Sequence, residues 1–187
     1  MTTPDKISRV GFVVVKLCIQ GNAFFLMRRS KKWNDISFIG GHENERDGGK
    51  LSRAAYRELL EEVPTLRATS RFELDELTNE FCYGPVHSRS ANALVGYELQ
   101  FFFLKFLHSP APALAALGPK SQNMLVREEE LLFQSKFKIA DLVELLGQVV
   151  PGGLKSIPLS WQFDLASAVA ATSKQQEFLH LTVQRHS

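Results

Sequence analysis

Gly40-Gly41 and, sixteen residues further on, Arg57-Glu58-Leu59-Leu60-Glu61-Glu62 decide how this chain is read. A helix completes a turn in about 3.6 residues, so positions i, i+3 and i+4 share a face. Glu58, Glu61 and Glu62 therefore crowd onto one side of a single turn. Like charges at that spacing repel, and the repulsion is relieved when a cation sits among them. A hard divalent cation prefers carboxylate oxygens, which makes Mg²⁺ the natural candidate. The bland alternative is a solvated acidic face, with Arg57–Glu61 an ordinary i,i+4 pair worth a few tenths of a kcal/mol.

Working outward, the periodicity predicts a helix over 50–63, with Ala55, Leu59 and Val63 as its apolar stripe and Pro64 as its stop. Upstream, residues 8–19 are rich in Val, Ile and Phe and read as a buried strand. Gln20-Gly21-Asn22 turns the chain into a hairpin partner over 23–28. A short strand is expected at 36–39, ended by Gly40 and Gly41. Downstream, strands are expected over 72–77 and 79–84, then a turn-rich loop over 84–92. Residues 93–107 are apolar on both faces and read as a central strand. The prolines at 110, 112 and 119 mark a long loop over 108–123. A short amphipathic helix is expected over 137–147, and Ser160 is placed to cap a last helix carrying Trp161, Leu165, Ala168 and Val169.

The 187 residues suit one domain over 1–150 and a helical C-terminal extension over 151–187, packed on the same domain. A net charge of +2 is too small to argue for a nucleic-acid partner. The run from Val10 to Ile19 is too short, and too broken by Lys16, to cross a bilayer. Cys18 and Cys82 match no zinc spacing and no disulfide framework. With no leader of the usual pattern at the start, a cytoplasmic protein is expected, without membrane partners. The stripe of the last helix can pack on its own domain or pair two copies, so a homodimer stays open. No internal repeat is visible, and strands mixed with few helices indicate an α+β class.

The segment from Gly40 to Glu62, with Phe38-Ile39 before it and paired strands upstream, resembles the Nudix box. Arg57 to Glu62 match its acidic core, and Gly41 its opening glycine. Three positions depart from the pattern. Asp47 stands for an early glutamate, nine residues rather than seven separate it from Arg57, and Pro64 replaces a glycine. Ile39 stands where many members carry proline.

The resemblance implies an α/β/α sandwich around a mixed sheet and a hydrolase using Mg²⁺ or Mn²⁺. Such an enzyme cleaves a nucleoside diphosphate linked to another group, by water attack on phosphorus. Nucleotide sugars, ADP-ribose, dinucleotides and nucleoside triphosphates are the substrate classes, and a small nucleotide-type molecule the expected partner. Glu58, Glu61, Glu62 and the Gly40 carbonyl are the implied metal set. Arg57, Glu58 and Glu61 are the catalytic group, with Arg57 orienting a carboxylate. Arg28, Arg29, Trp33 and Glu129 are candidates for substrate contacts. The insertion is expected to carry Asp47 off the metal, so that removing it harms activity less than removing Glu62. The alternative is a Nudix-like nucleotide sensor or interaction module that keeps the fold without turnover.

Overall fold

The computed structural model describes residues 3–30, 35–69, 71–88, 91–111, 114, 122–133 and 138–163. Among them, nine strands form one mixed sheet: β1 (Lys6–Val14), β2 (Lys16–Ile19), β3 (Asn22–Arg29), β4 (Ile36–His42), β5 (Phe72–Glu76), β6 (Phe81–Ser88), β7 (Ala93–Phe106), β8 (Asn123–Arg127) and β9 (Trp161–Phe163). The helices are α1 (Leu51–Glu62), α2 (Leu66–Thr69), α3 (Glu128–Phe133) and α4 (Lys138–Val149), with 3-10 turns at Glu45–Asp47 and Gly153–Ser156.

The strand order is β5-β7-β1-β4-β3-β2-β9, with β6 also on β7 and β8 also on β3. The longest strand, β7, has β1 on one side and β5 and β6 on the other, and runs parallel to β1 from Lys6↔Val95 to Val14↔Phe103. Alternation along these strands feeds two cores. Val13, Phe102 and Leu104 face α1 and pack with its Leu51, Ala55 and Leu59. Val10, Val14, Phe101 and Phe103 turn to the other side and pack with Leu142, Leu145 and Leu146 of α4. A sheet covered on both faces explains why β7 reads as a continuous apolar run. The architecture is the α/β/α sandwich with a mixed sheet.

Helix α1 ends where the sequence predicts, with the Val63 amide donating to the Leu59 carbonyl at 2.9 Å and Pro64 next in the chain. Its stripe of Leu51, Ala54, Ala55 and Leu59 is buried. Burying a leucine such as Leu59 contributes about 2 kcal/mol relative to leaving it in water.

Several expectations change. The strand expected over 8–19 breaks at Val15, because the chain exchanges neighbours there: β1 lies between β7 and β4, whereas β2 lies between β3 and β9. Gly40 and Gly41 do not end β4 but stay paired, Phe12↔Gly40 and Gly11↔Gly41. Residues 85–88 continue β6 instead of forming a loop, with the irregularity between Tyr83 and Val86 absorbing the cis Gly84–Pro85 peptide. Asn123 begins a strand, β8, that composition did not suggest. Most of the proline-rich stretch before it lies outside the described residues.

The last correction concerns the C-terminal part. Ser160 caps no helix at Trp161; instead Trp161–Phe163 pairs parallel to β2, Leu17↔Trp161 to Ile19↔Phe163. Backbone bonding to an open sheet edge outweighs the local helical pattern. Ser160 itself serves this docking: its Oγ accepts from the Lys16 amide at 3.0 Å, and its amide donates to the Lys16 carbonyl at 2.7 Å. The buried Lys16 ammonium adds bonds to the carbonyls of Leu154 (2.9 Å) and Lys155 (3.3 Å) and an ion pair with Glu128 (2.7 Å). Residues 164–187, with the rest of the expected helix, lie outside the described residues.

Candidate functional site

The loop between β4 and α1 is built around a short turn. Asn44 caps it: its side chain accepts from the Arg46 amide at 2.9 Å, and its own amide donates to Asp47 Oδ2 at 2.9 Å. This reciprocal cap directs the Asp47 carboxylate inward, where the residue is only 3% exposed. A carboxylate that deep needs a charged partner. Arg57 provides it, one turn or so into α1. Its Nη2 donates to Oδ2 at 2.9 Å and its Nε to Oδ1 at 3.2 Å. The guanidinium, followed by the Asn44 amide, holds the Asp47 carboxyl below the ordinary carboxylate range, while burial pushes the other way. The Arg57 cation is stabilised in turn, first by Asp47 and then by Glu58.

The remaining edges of the same guanidinium reach the other predicted residues. Nη1 donates to Glu58 Oε1 at 2.6 Å and stands 3.6 Å from Glu61 Oε2, and Nη2 also donates to the His42 carbonyl at 2.9 Å. Glu58 lies directly over Gly41. A Cβ on Gly41 would fall within the Glu58 carboxylate, so only glycine leaves room for it. At Gly40, φ is +148°, and a Cβ would overlap the Gly11 carbonyl on β1. These two glycines let helix and strand meet backbone to carboxylate.

Glu62, one residue beyond Glu61, faces another cation. Its side chain is 4% exposed and forms an ion pair with Arg28 of β3 through Oε1. The second oxygen, Oε2, is buried without a hydrogen-bond partner among the described residues, an arrangement that costs about 1–3 kcal/mol. Two residues that the sequence did not single out complete this corner. Asn123 Nδ2 donates to the Glu62 carbonyl at 2.7 Å, and Gln122 Oε1 accepts from Arg28 Nε at 3.3 Å. Both follow the proline-rich stretch, and only strand pairing, Arg28↔Asn123, brings them here. No local motif marks them.

The structure thus gathers Gly40, Gly41, Arg57, Glu58 and Glu61 at one end of the site and Arg28 with Glu62 at the other. Arg29 is exposed and follows Arg28 on the strand, so it belongs to the opposite face. Trp33 lies outside the described residues. Glu129 is not brought to the cluster. It is exposed on α3, beyond Arg127, and Arg127 pairs with Phe24, four residues or about 13 Å of strand from Arg28. Its neighbours are also engaged elsewhere, Glu128 by Lys16 and Glu130 by the Arg127 amide.

A third arginine braces the loop from outside. Arg9 of β1 donates through Nη1 to Glu43 and to the Gly49 carbonyl, each at 2.9 Å, and pairs with Glu80 and Glu98. It ties both ends of the lengthened loop to the sheet. Beside it, a cleft of about 500 Å³ opens past His42, lined by Lys6, Ser8, Arg9, Glu43 and Tyr97 among others.

Four carboxylates (Asp47, Glu58, Glu61, Glu62) against two guanidiniums (Arg28, Arg57) leave two negative charges, the complement of one divalent cation. The donor chemistry suits a hard ion: oxygen ligands only, one of them buried and lacking a donor. Glu61 is 54% exposed and only loosely held. Among the described residues, however, no three His, Cys, Asp or Glu side chains stand grouped as they would around a metal. The arginines hold Glu58 and Glu62 in their present positions.

No protein-family model matches the chain, and no curated protein matches it. Solved structures do. NrtR from Shewanella oneidensis superposes with a TM-score of 0.51 at 15% identity, over 73% of this chain and 60% of its own length. The same protein complexed with a 27mer DNA gives 0.50 at 15%, over 72% and 58%. The Ap4A hydrolase of C. elegans gives 0.50 at 18%, over 74% of this chain and 90% of its own. The chain thus spans about three fifths of NrtR. At these identities the likeness is one of architecture, and the fold is Nudix-like.

Proposed function

We propose, on the premise of a Nudix-like fold, that this chain hydrolyses a phosphoanhydride in a nucleoside diphosphate linked to a further group, with Mg²⁺ or Mn²⁺. The observation that carries this reading is the carboxylate set of Glu58 and Glu61, anchored by Arg57 over Gly41, with Glu62 one residue on and paired to Arg28. Glu58, Glu61, Glu62 and the Gly40 carbonyl would hold the cation. When bound, it offsets phosphate charge and favours deprotonation of the attacking water.

The chain's own residues do the rest. Water adds to phosphorus, the bridging P–O bond breaks, and the bridging oxygen leaves with the departing phosphate. The proton released by water goes to a carboxylate. Glu58 suits that role as the alternative to holding the cation, because Arg57 occupies Oε1 and fixes the carboxylate while Oε2 remains to accept the proton. Arg57, itself fixed by Asp47, is the positioning residue. Arg28 supplies a planar fork for substrate phosphate. The cleft beside His42, with hydroxyl, cationic and aromatic walls, is suited to the group beyond the anhydride.

Nucleic acid stays outside the reading: the DNA in the NrtR complex belongs to that protein, and a net charge of +2 is too small to argue for such a partner here. We read residues 151–187 as an extension of the same unit, supported by the pairing of β9 with β2. A cytoplasmic setting fits two free cysteines, and no described helix is long and apolar enough to cross a membrane.

The test is turnover on a panel of nucleotide sugars, ADP-ribose, dinucleotides and nucleoside triphosphates with Mg²⁺ and Mn²⁺. Glu61→Gln and Glu62→Gln should each lower it about a hundredfold or more while leaving the fold intact. Undiminished rates in both variants would remove the assignment. The second reading, a nucleotide sensor without turnover, is favoured by one observation: Arg28 and Arg57 already neutralise two of the carboxylates. Metal-indifferent nucleotide binding with no hydrolysis over hours would select it.

A further inference from the structure

Glu62 combines two features that do not belong together in a finished structural ion pair. Its side chain is more than nine-tenths buried, yet among the described residues Oε2 has no hydrogen-bond partner. Among the described residues its counter-ion is Arg28, which comes from a different element and has a side chain 38% exposed. A buried carboxylate that keeps one oxygen empty is ready for a ligand that would fill both.

We infer that Arg28 is an exchangeable counter-ion for Glu62: it neutralises the carboxylate in the free protein, and a phosphate-bearing ligand draws it away so that Glu62 can take the divalent cation. The inference rests on the hydrolase reading and adds an order of events to it.

The geometry supports an exchange of side chains without movement of the backbone. Asn123 fixes the end of α1 by bonding the Glu62 carbonyl at 2.7 Å, and it is itself paired opposite Arg28 across β3 and β8. Gln122 holds Arg28 only through Nε, at a long 3.3 Å, which leaves the fork free to pivot. A guanidinium and a dication on the one Glu62 carboxylate repel each other, so each weakens the other there. A guanidinium released from Glu62 presents two parallel donors, which match phosphate oxygens. Ligand and cation then assist one another reciprocally, since each removes the competitor of the other.

The experiment uses Mn²⁺ alone, with free Mn²⁺ read by electron paramagnetic resonance, on the full chain and its variants. Arg28→Gln should bind Mn²⁺ at least about fivefold more tightly than the natural sequence. The double variant with Glu62→Gln should lose the gain. Arg28→Met, which keeps the apolar stem, repeats the measurement if the glutamine variant does not fold. In chelator, without metal, adenosine 5′-(α,β-methylene)diphosphate should bind the natural protein more tightly than Arg28→Gln. Equal nucleotide affinity there would overturn the phosphate half of the exchange. Equal Mn²⁺ affinity in the natural protein and both Arg28 variants, alongside metal-dependent turnover, would overturn the exchange and leave the hydrolase reading standing. No Mn²⁺ binding by any variant, with no turnover on the panel, would remove both.

Discussion

The Arg57 guanidinium closes on both carboxylate oxygens of Asp47, at 2.9 and 3.2 Å, across a loop two residues longer than the pattern it resembles. The insertion therefore does not discard Asp47. Asp47 supports Arg57, which in turn donates to Glu58. Asp47→Asn should cost about 2 kcal/mol of stability, because the ion pair of the buried Asp47 carboxylate with the partly buried Arg57 is lost. Turnover should fall about tenfold, less than for Glu62→Gln, and Asp47→Glu should restore part of it. Urea unfolding and kcat measured on the same preparations decide this. A stability loss without any change in kcat would leave Asp47 a purely structural residue.

Acidity offers a separate check on the same pair. Folding lowers the affinity of Asp47 for a proton relative to its ordinary value of 3.8, chiefly through Arg57. The unfolded chain then binds a proton that the folded chain refuses, so stability declines as pH falls. The contribution is complete above about pH 5 and shrinks below the ordinary value towards the lowered one. Urea midpoints taken between about pH 3 and 6 should fall more steeply for the natural sequence than for Asp47→Asn. Parallel slopes would mean that the pair does not form in solution.

Gly41→Ala places a methyl group inside the Glu58 carboxylate. The side chain must swing away or the helix must retreat from β4. A stability loss of at most about 1 kcal/mol is expected, since the carboxylate end of Glu58 can swing aside, with a larger proportional loss of turnover because Glu58 is displaced. Calorimetric melting and kcat report the two effects separately. A fully active Gly41→Ala protein would contradict the placement of Glu58.

Lys16→Met removes an ammonium that holds two carbonyls and Glu128 in a buried setting. Glu128 is left without its counter-ion, and a loss of about 3 kcal/mol follows. Proteolysis should then cut within residues 150–157, before global unfolding. Unchanged cleavage would show that β9 docks without help from Lys16.

The sequence carried most of the fold because its signals were local and periodic. The stripe of α1, the Gln20-Gly21 turn and the two-sided β7 all follow from repeats within a few residues, and all are present. Failures fell where a long-range partner overrides local preference. Gly40 and Gly41 look like strand breakers, yet β1 holds them in register. Trp161 looks helical, yet an open edge of β2 captures it. The site was legible to the same degree. Arg57, Glu58 and Glu61 share a helical turn, so their proximity is written in their spacing. Arg28, Gln122 and Asn123 meet Glu62 only through the pairing of β3 with β8, which no motif announces. Glu129 lies away from the cluster for the converse reason, since its acidic character said nothing about how far the helix after β8 would stand from Arg28.

The three residues Trp161–Phe163 shield the outer flank of β2. A shortened chain ending before Ser160 would bare a row of amides and carbonyls on a strand whose Leu17 and Ile19 are fully inside. Such a template invites neighbouring molecules to stack on it. Clumping of the shortened protein on concentration would then reflect a missing cover, not a faulty core.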